Sequence, residues 1–291
     1  MTHDSDISPL TRLVTRLVTR LDRVGDRGVE RGGADAGAGD VLPTGFASLD
    51  RAIGGGFRRG DLVVLGGDDS MGCSALALAV GLRQPHRSLL LTGERLADRV
   101  YERALALSAK VPLDALRFGT VTEEERRRLA SAATMLRDRV PVVDTLLEGG
   151  MGPVERALAA TPTAPLVIVD PLESLLDRAA GREEMLGYAI VTLKRLALRH
   201  QLVVLLLTHL PGFDPARRDR RPRLADFGLG GAVGQQADLV LGLYREELYE
   251  ADLGVTGAAE LQILKHRDGP RGYVDLYFDA RYGRFEDVLE E

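Results

Sequence analysis

Leu62-Val-Val-Leu-Gly-Gly-Asp-Asp-Ser-Met-Gly-Cys-Ser74 is followed directly by Ala75-Leu-Ala-Leu-Ala-Val-Gly-Leu82. Leu62–Leu65 reads as a strand and Ser74–Leu82 as a helix rich in Ala and Leu. The order strand, glycine-bearing loop, helix N-terminus is what a phosphate cradle requires. Its glycines permit positive φ, and successive N–H groups and the helix dipole face an anion. The spacing Gly67-x4-Gly72-x-Ser74 matches the phosphate-loop pattern except at one position, where Cys73 stands in place of Lys. Asp68 and Asp69 place carboxylates in a loop that should attract anions. Two readings of the loop stand: a nucleotide site, or an ordinary turn whose glycines only set geometry. Cys73, at a helix N-terminus, is either an activated thiol or a buried, inert one, and the neighbouring aspartates favour the second.

Outward from this loop, short apolar strands alternate with helical patterns. The expected strands are Leu62–Leu65, Ser88–Leu91, Val140–Val143, Leu166–Val169, Leu202–Leu207, Ala237–Leu243, Ala259–Leu264 and Tyr273–Phe278. Helices are expected over Ser74–Leu82, Leu96–Ser108, Glu123–Leu136 and Glu183–His200, the last with Leu186, Ile190, Leu193 and Ala197 on one side. Strands apolar on both faces suit a mostly parallel sheet flanked by helices, an α/β fold. The final two strands follow one another directly, so they are expected to extend the sheet antiparallel.

The first forty residues differ. Leu10, Leu13, Val14, Leu17, Val18 and Leu21 recur at three- and four-residue spacing, which predicts an amphipathic helix over 1–24. Residues 25–40 are rich in Gly, Ala, Asp and Arg and read as a flexible linker before one domain over 41–291. A tethered helix must bury its stripe on a neighbouring subunit, on its own domain or, a distant third, on a membrane surface.

Composition narrows the function classes. Of 291 residues 45% are apolar but only 5% aromatic, with no Trp, so a stacking platform for single-stranded bases is not expected. Lys+Arg 38 against Asp+Glu 43 gives a net charge of −5, which excludes a uniformly basic nucleic-acid binder but not a local basic patch. Lys110, Lys194 and Lys265 are the only lysines, so nearly all positive charge is arginine. One cysteine excludes an internal disulfide and fits a reducing cytoplasm. Neither a transmembrane run nor a signal-peptide pattern is present, so a soluble cytoplasmic protein with no membrane partner is expected.

Further motifs carry a resemblance. Leu42-Pro-Thr-Gly-Phe-Ala-Ser-Leu-Asp50, Gly54-Gly-Gly56, Gly60-Asp-Leu-Val-Val64 and Leu166-Val-Ile-Val-Asp170 lead into Leu193-Lys-Arg-Leu-Ala197 and Val203–His209. Then come Gln235-Gln-Ala-Asp-Leu-Val240 and Lys265-His-Arg-Asp-Gly-Pro-Arg-Gly272. Across residues 41–287 the chain resembles the RecA-like motor domain of DnaB-type replicative helicases, without their usual N-terminal domain, and the related RadA and KaiC proteins.

That resemblance implies a RecA-like P-loop NTPase fold and an ATP site at Gly67, Ser70, Met71, Gly72, Cys73 and Ser74, with Mg²⁺ held at Ser74 and Asp170. It implies Glu94 as the group that polarises the attacking water and His209 as the polar sensor. Lys265 and Arg267 correspond to the pair that reaches a neighbouring subunit's γ-phosphate. A hexameric ring follows, with single-stranded DNA in its channel. Gly228 and Leu229 stand where the family has an Arg-Glu pair touching that strand, so the loop arginines Arg217, Arg218, Arg220, Arg221 and Arg223 are candidates to replace it; a solvated loop paired with Asp214 and Asp219 is the alternative. Without the loop lysine, ATP hydrolysis is expected to be impaired or absent. Three functions remain open: a DNA helicase or translocase, a non-catalytic scaffold, and a nucleotide-sensing switch.

Overall fold

The computed structural model describes residues 40–176, 182–210, 213–214, 216–250 and 254–288. The helix expected over 1–24 and all but the last residue of the linker lie outside the described residues.

Among the described residues the main sheet has nine strands. In chain order they are β1 (Leu62–Gly67), β2 (Leu89–Thr92), β3 (Val142–Thr145), β4 (Leu166–Asp170), β5 (Val203–Thr208), β6 (Leu239–Tyr244), β7 (Ala258–His266), β8 (Gly272–Asp279) and β9 (Arg284–Asp287). Their spatial order is β9-β8-β7-β6-β1-β5-β4-β2-β3. The run from β6 to β3 is parallel and β7, β8 and β9 add antiparallel. This is the expected α/β sheet with its antiparallel extension.

The helices are α1 (Ala47–Ala52), α2 (Cys73–Leu82), α3 (Ala97–Ala109), α4 (Leu113–Phe118), α5 (Glu123–Leu136), α6 (Gly152–Ala160), α7 (Arg182–His200) and α8 (Ala232–Gln236). Two apolar clusters explain their placement. Val63 and Leu65 of β1 face α2, whose residues 75–82 are all buried. Leu62 and Val64 face the other way, onto Leu186, Ile190, Leu193 and Ala197 of α7. The two-residue period of a strand thus sorts one apolar run onto two helical layers.

Several expected boundaries shift for local reasons. The strand expected at Val140–Val143 begins at Val142, because Val140 N–H still bonds Leu136 O at 2.8 Å and Pro141 has no N–H to give. The strand expected from Ala237 begins at Leu239, because Asp238 forms a buried hub instead. Its carboxylate accepts from Leu62 N–H (2.8 Å), Lys194 Nζ (2.6 Å) and Arg267 Nε (2.8 Å). Helices α1, α4, α6 and α8 and strand β9 have no counterpart among the expected elements, being short and stabilised mainly by what they pack on.

Candidate functional site

The C-terminal ends of β1, β2, β4 and β5 meet where the register pairs Gly66 with Thr208 and Thr92 with Asp170. In a parallel sheet this is the edge where ligands bind, since the crossover loops gather there. The 67–74 loop crosses it. Ser70 and Gly72 both have positive φ, 66° and 104°. At Gly72 a side chain would also sit 3.0 Å from the Phe285 ring, so only glycine fits. Met71 is buried and anchors the loop. Arg245, buried and paired with Glu247, lies over the Phe278 ring and donates to Ser70 O at 3.4 Å.

Ser74 donates its hydroxyl to Asp170 Oδ1 at 3.1 Å, bringing the two expected metal-binding residues together. Burial raises the Asp170 pKa and the charge of Glu94 adds to it; the Ser74 hydrogen bond, Arg95 and Arg103 oppose. Glu94 is exposed, two residues beyond the strand that pairs with Asp170. Two hard oxygens at this spacing suit Mg²⁺, which usually takes one or two protein oxygens and fills its shell from phosphates and water. Among the described residues there is no group of three or more His, Cys, Asp or Glu placed to hold a metal by itself.

Cys73 opens α2 and is half-buried. Burial, with the Asp170 charge adding, pushes its pKa up to about 12, so the thiol stays protonated. A raised pKa belongs to the inert reading of this cysteine rather than to the activated one. Asp68 accepts from Tyr249 Oη at 2.8 Å, and His209 Nδ1 lies 3.6 Å from Asp69 Oδ1.

The remaining expected site residues lie elsewhere. Lys265 pairs in register with Val240, at the end of β6 opposite the loop, whereas Leu243 pairs with Gly67. Lys265 Nζ donates to the carbonyls of Gly234 (2.8 Å) and Ala237 (2.5 Å), and burial lowers its pKa. Arg267 bonds Asp238 and Gln235 O. At that end of the sheet the pair is remote from the phosphate loop of its own chain.

The loop arginines divide. Arg217 makes a bidentate pair with buried Asp226 (2.8 and 2.9 Å) and Arg221 pairs with Glu260 at 2.5 Å. Arg223 lies 3.6 Å from Asp219, and Arg220 stacks over Tyr249. Arg218 is exposed, with no hydrogen bond or ion pair among the described residues. Of the two expected partners, Asp219 lies 3.6 Å from Arg221 and from Arg223, whereas Asp226 and Glu260 take the place of Asp214.

Sequence reasoning missed three groups. Glu173 accepts from Thr208 Oγ1 at 3.2 Å, and its Oε2 is buried without a hydrogen-bond partner among the described residues. Tyr249 comes from a segment with no motif. A groove of about 680 Å³ beside Glu94 is lined by four arginines, Arg95, Arg99, Arg103 and Arg117, with Leu96 and Leu113. The i, i+4 spacing of Arg99 and Arg103 on one predicted helix was the available signal.

The DnaB-like helicase C terminal domain family matches residues 41–287. The Replicative DNA helicase DnaB of Leifsonia xyli subsp. xyli is 30% identical over 258 residues, covering 85% of this chain and 56% of that protein. The Replicative DNA helicase DnaC of Bacillus subtilis is 28% identical over 262 residues, covering 86% and 58%. The chain thus spans little more than half the length of these relatives. Among solved structures, one described as an ATPase domain superposes with TM-score 0.85 at 24% identity, covering 98% of this chain and all of that one. A DnaB-like replicative helicase described with its interactions with primase gives 0.83 at 24%, covering 99% of this chain and 69% of that one. Sheet order, loop and the family match over 41–287 agree: this chain belongs to the DnaB-like helicase C terminal domain family, with a RecA-like P-loop NTPase fold.

Proposed function

We propose that this protein is a RecA-fold ring protein of DNA metabolism that binds ATP and Mg²⁺ but hydrolyses ATP weakly or not at all. The observation that carries the reading is the 3.1 Å contact between Ser74 and Asp170 beside a loop whose lysine position is filled by Cys73. In this reading the backbone of 67–74 cradles the phosphates, Ser74 and Asp170 hold the cation, and Glu94 orients water. Bound Mg²⁺ supplies charge stabilisation to the phosphates. A protonated thiol offers no charge-assisted contact to the transferred phosphoryl group. Losing such a contact costs about 3 kcal/mol of transition-state stabilisation, about two orders of magnitude in rate.

The family membership supports a six-membered ring, with the N-terminal segment 1–24 docking on a neighbour through the 25–40 linker. Lys265 and Arg267, remote from their own loop, then serve the loop of the next subunit. Single-stranded DNA is the proposed channel ligand. Arg218, Arg220 and the more exposed Arg223 are its foremost contacts, because Arg217 and Arg221 hold the less exposed carboxylates Asp226 and Glu260. Kinship with RadA and KaiC belongs to the same reading, as does a cytoplasmic setting; among the described residues no helix is long and apolar enough to cross a membrane.

Calorimetric titration with ATP and Mg²⁺, paired with a phosphate-release assay, tests this on wild type and Cys73→Lys. Measurable binding with turnover well below about one per second is expected, and Cys73→Lys should gain rate. Wild-type turnover near one per second would favour the second reading, an active motor, for which the exposed Glu94 beside Asp170 speaks. No binding by wild type, with binding restored in the variant, would favour the scaffold.

A further inference from the structure

The chain past β2 is tethered at Arg95, whose carbonyl accepts from Thr145 Oγ1 at 3.2 Å. This holds Arg95 three residues beyond Thr92, the register partner of Asp170. Arg103 lies on the face of α3 that Arg99 shares, and all three arginines line the groove next to Glu94. Glu102 takes up Arg99 at 3.0 Å and Arg117 at 3.1 Å. Arg95 and Arg103 are left with no hydrogen bond or ion pair among the described residues. Arg95 follows the strand whose Thr92 pairs with Asp170, and Arg103 lines the same groove, as does Glu94. Burial lowers the Arg103 pKa and the charge of Arg95 lowers it further, while Asp170 opposes. Two half-buried guanidiniums lining one groove attract an anion more strongly than either does alone. The 67–74 loop, for its part, has two aspartates and no cation.

We infer that Arg95 and Arg103 form a binding site for the terminal phosphoryl group of a nucleoside triphosphate seated on the 67–74 loop. They supply, from the connection after β2 and from α3, the positive charge that the loop itself lacks. This rests on the nucleotide-binding reading above and goes beyond it by assigning the phosphate-charge role to residues outside the loop. A guanidinium fork meets phosphate oxygens bidentately, which a point charge does not, so two arginines can serve where one loop lysine is absent. An anion held at the groove would also lie next to Glu94.

The test is calorimetry with ATP and with ADP, each with Mg²⁺, on the full chain as wild type, Arg95→Gln, Arg103→Gln and Arg95→Lys. Each Gln variant should weaken ATP about tenfold and leave ADP within about twofold, because ADP lacks the terminal group. Arg95→Lys should recover part of the ATP affinity. Retained ADP affinity reports that each variant is folded. ATP unaffected, or ATP and ADP weakened equally, would overturn the inference while leaving the nucleotide reading in place. A wild type that binds neither nucleotide would overturn that reading and this inference with it.

Discussion

At position 73 a thiol with its pKa near 12 differs from a lysine in charge, reach and reactivity together. The chain has one cysteine, so its chemistry can be read without interference. At pH 8, labelling by a disulfide reagent such as Ellman's should run about a thousandfold slower than for a free cysteine thiol, because the thiolate is nearly absent. A rate near that of free cysteine would show the site to be open and activated. Asp170 offers a second measurement at this scale. Its folded-state pKa stands above the unfolded value, so the folded protein holds that proton more tightly. Stability from this group is therefore present at low pH and is lost as pH rises from about 4 through the raised value. Asp170→Asn, which keeps an acceptor for the Ser74 hydroxyl, should raise Tm at pH 7, by about 2–4 °C for each kcal/mol of burial cost relieved. The gain should shrink as pH falls toward 4, and a variant that melts below wild type at pH 7 would contradict it. The roles of Cys73 and Ser74 as candidates were legible from spacing alone. The arginine groove was not, because nothing local says that Arg95 and Arg103 lack a carboxylate.

Among the elements, the segment from 213 to 227 shows how sequence identity underdetermines role. Five arginines read alike along the chain, yet Arg221 holds the segment to the body through Glu260 and Arg217 closes it on its own Asp226. Arg217 is 12% exposed and its partner Asp226 5%. Arg217→Ala leaves that carboxylate buried with, among the described residues, only the Arg223 N–H to oppose its desolvation. A loss of about 3 kcal/mol in urea unfolding is expected. Arg218→Ala, on an exposed side chain, should stay within about 0.5 kcal/mol. Equal effects would mean that the pair is not formed in solution. The loop-facing end of β1 gives a second case. A side chain built at Gly66 would lie 2.6 Å from the Phe227 ring and 2.9 Å from Leu210, both buried. Gly66→Ala should cost about 1–3 kcal/mol by overpacking, read as a lower urea midpoint with unchanged m-value. The sequence presents Gly66 as part of the phosphate motif, whereas its neighbours show that its absent side chain also makes room for the opposite layer.

For the whole molecule, the sheet places Lys265 and Arg267 at one end of β6 and the phosphate loop at the other. A role for that pair at a phosphate therefore requires a second subunit. Light scattering with and without ATP and Mg²⁺ should report an assembly near six protomers, and a monomer under both conditions would remove the proposed trans role. The longer strands and helices, the α/β class and the antiparallel extension followed from the sequence itself. A buried parallel strand must be apolar on both faces, and a helix that covers it must repeat at three and four residues. The same local rules set the phosphate-loop spacing and marked Cys73 as its departure. Only the tertiary structure decided which charges are neutralised. Asp238 gathers Lys194 and Arg267, Asp226 holds Arg217, and Glu102 takes Arg99 and Arg117, leaving Arg95 and Arg103 with no ion pair among the described residues. Covalent order fixes which residues can form a strand or a helix, but the balance of a buried charge depends on neighbours that folding brings from distant segments.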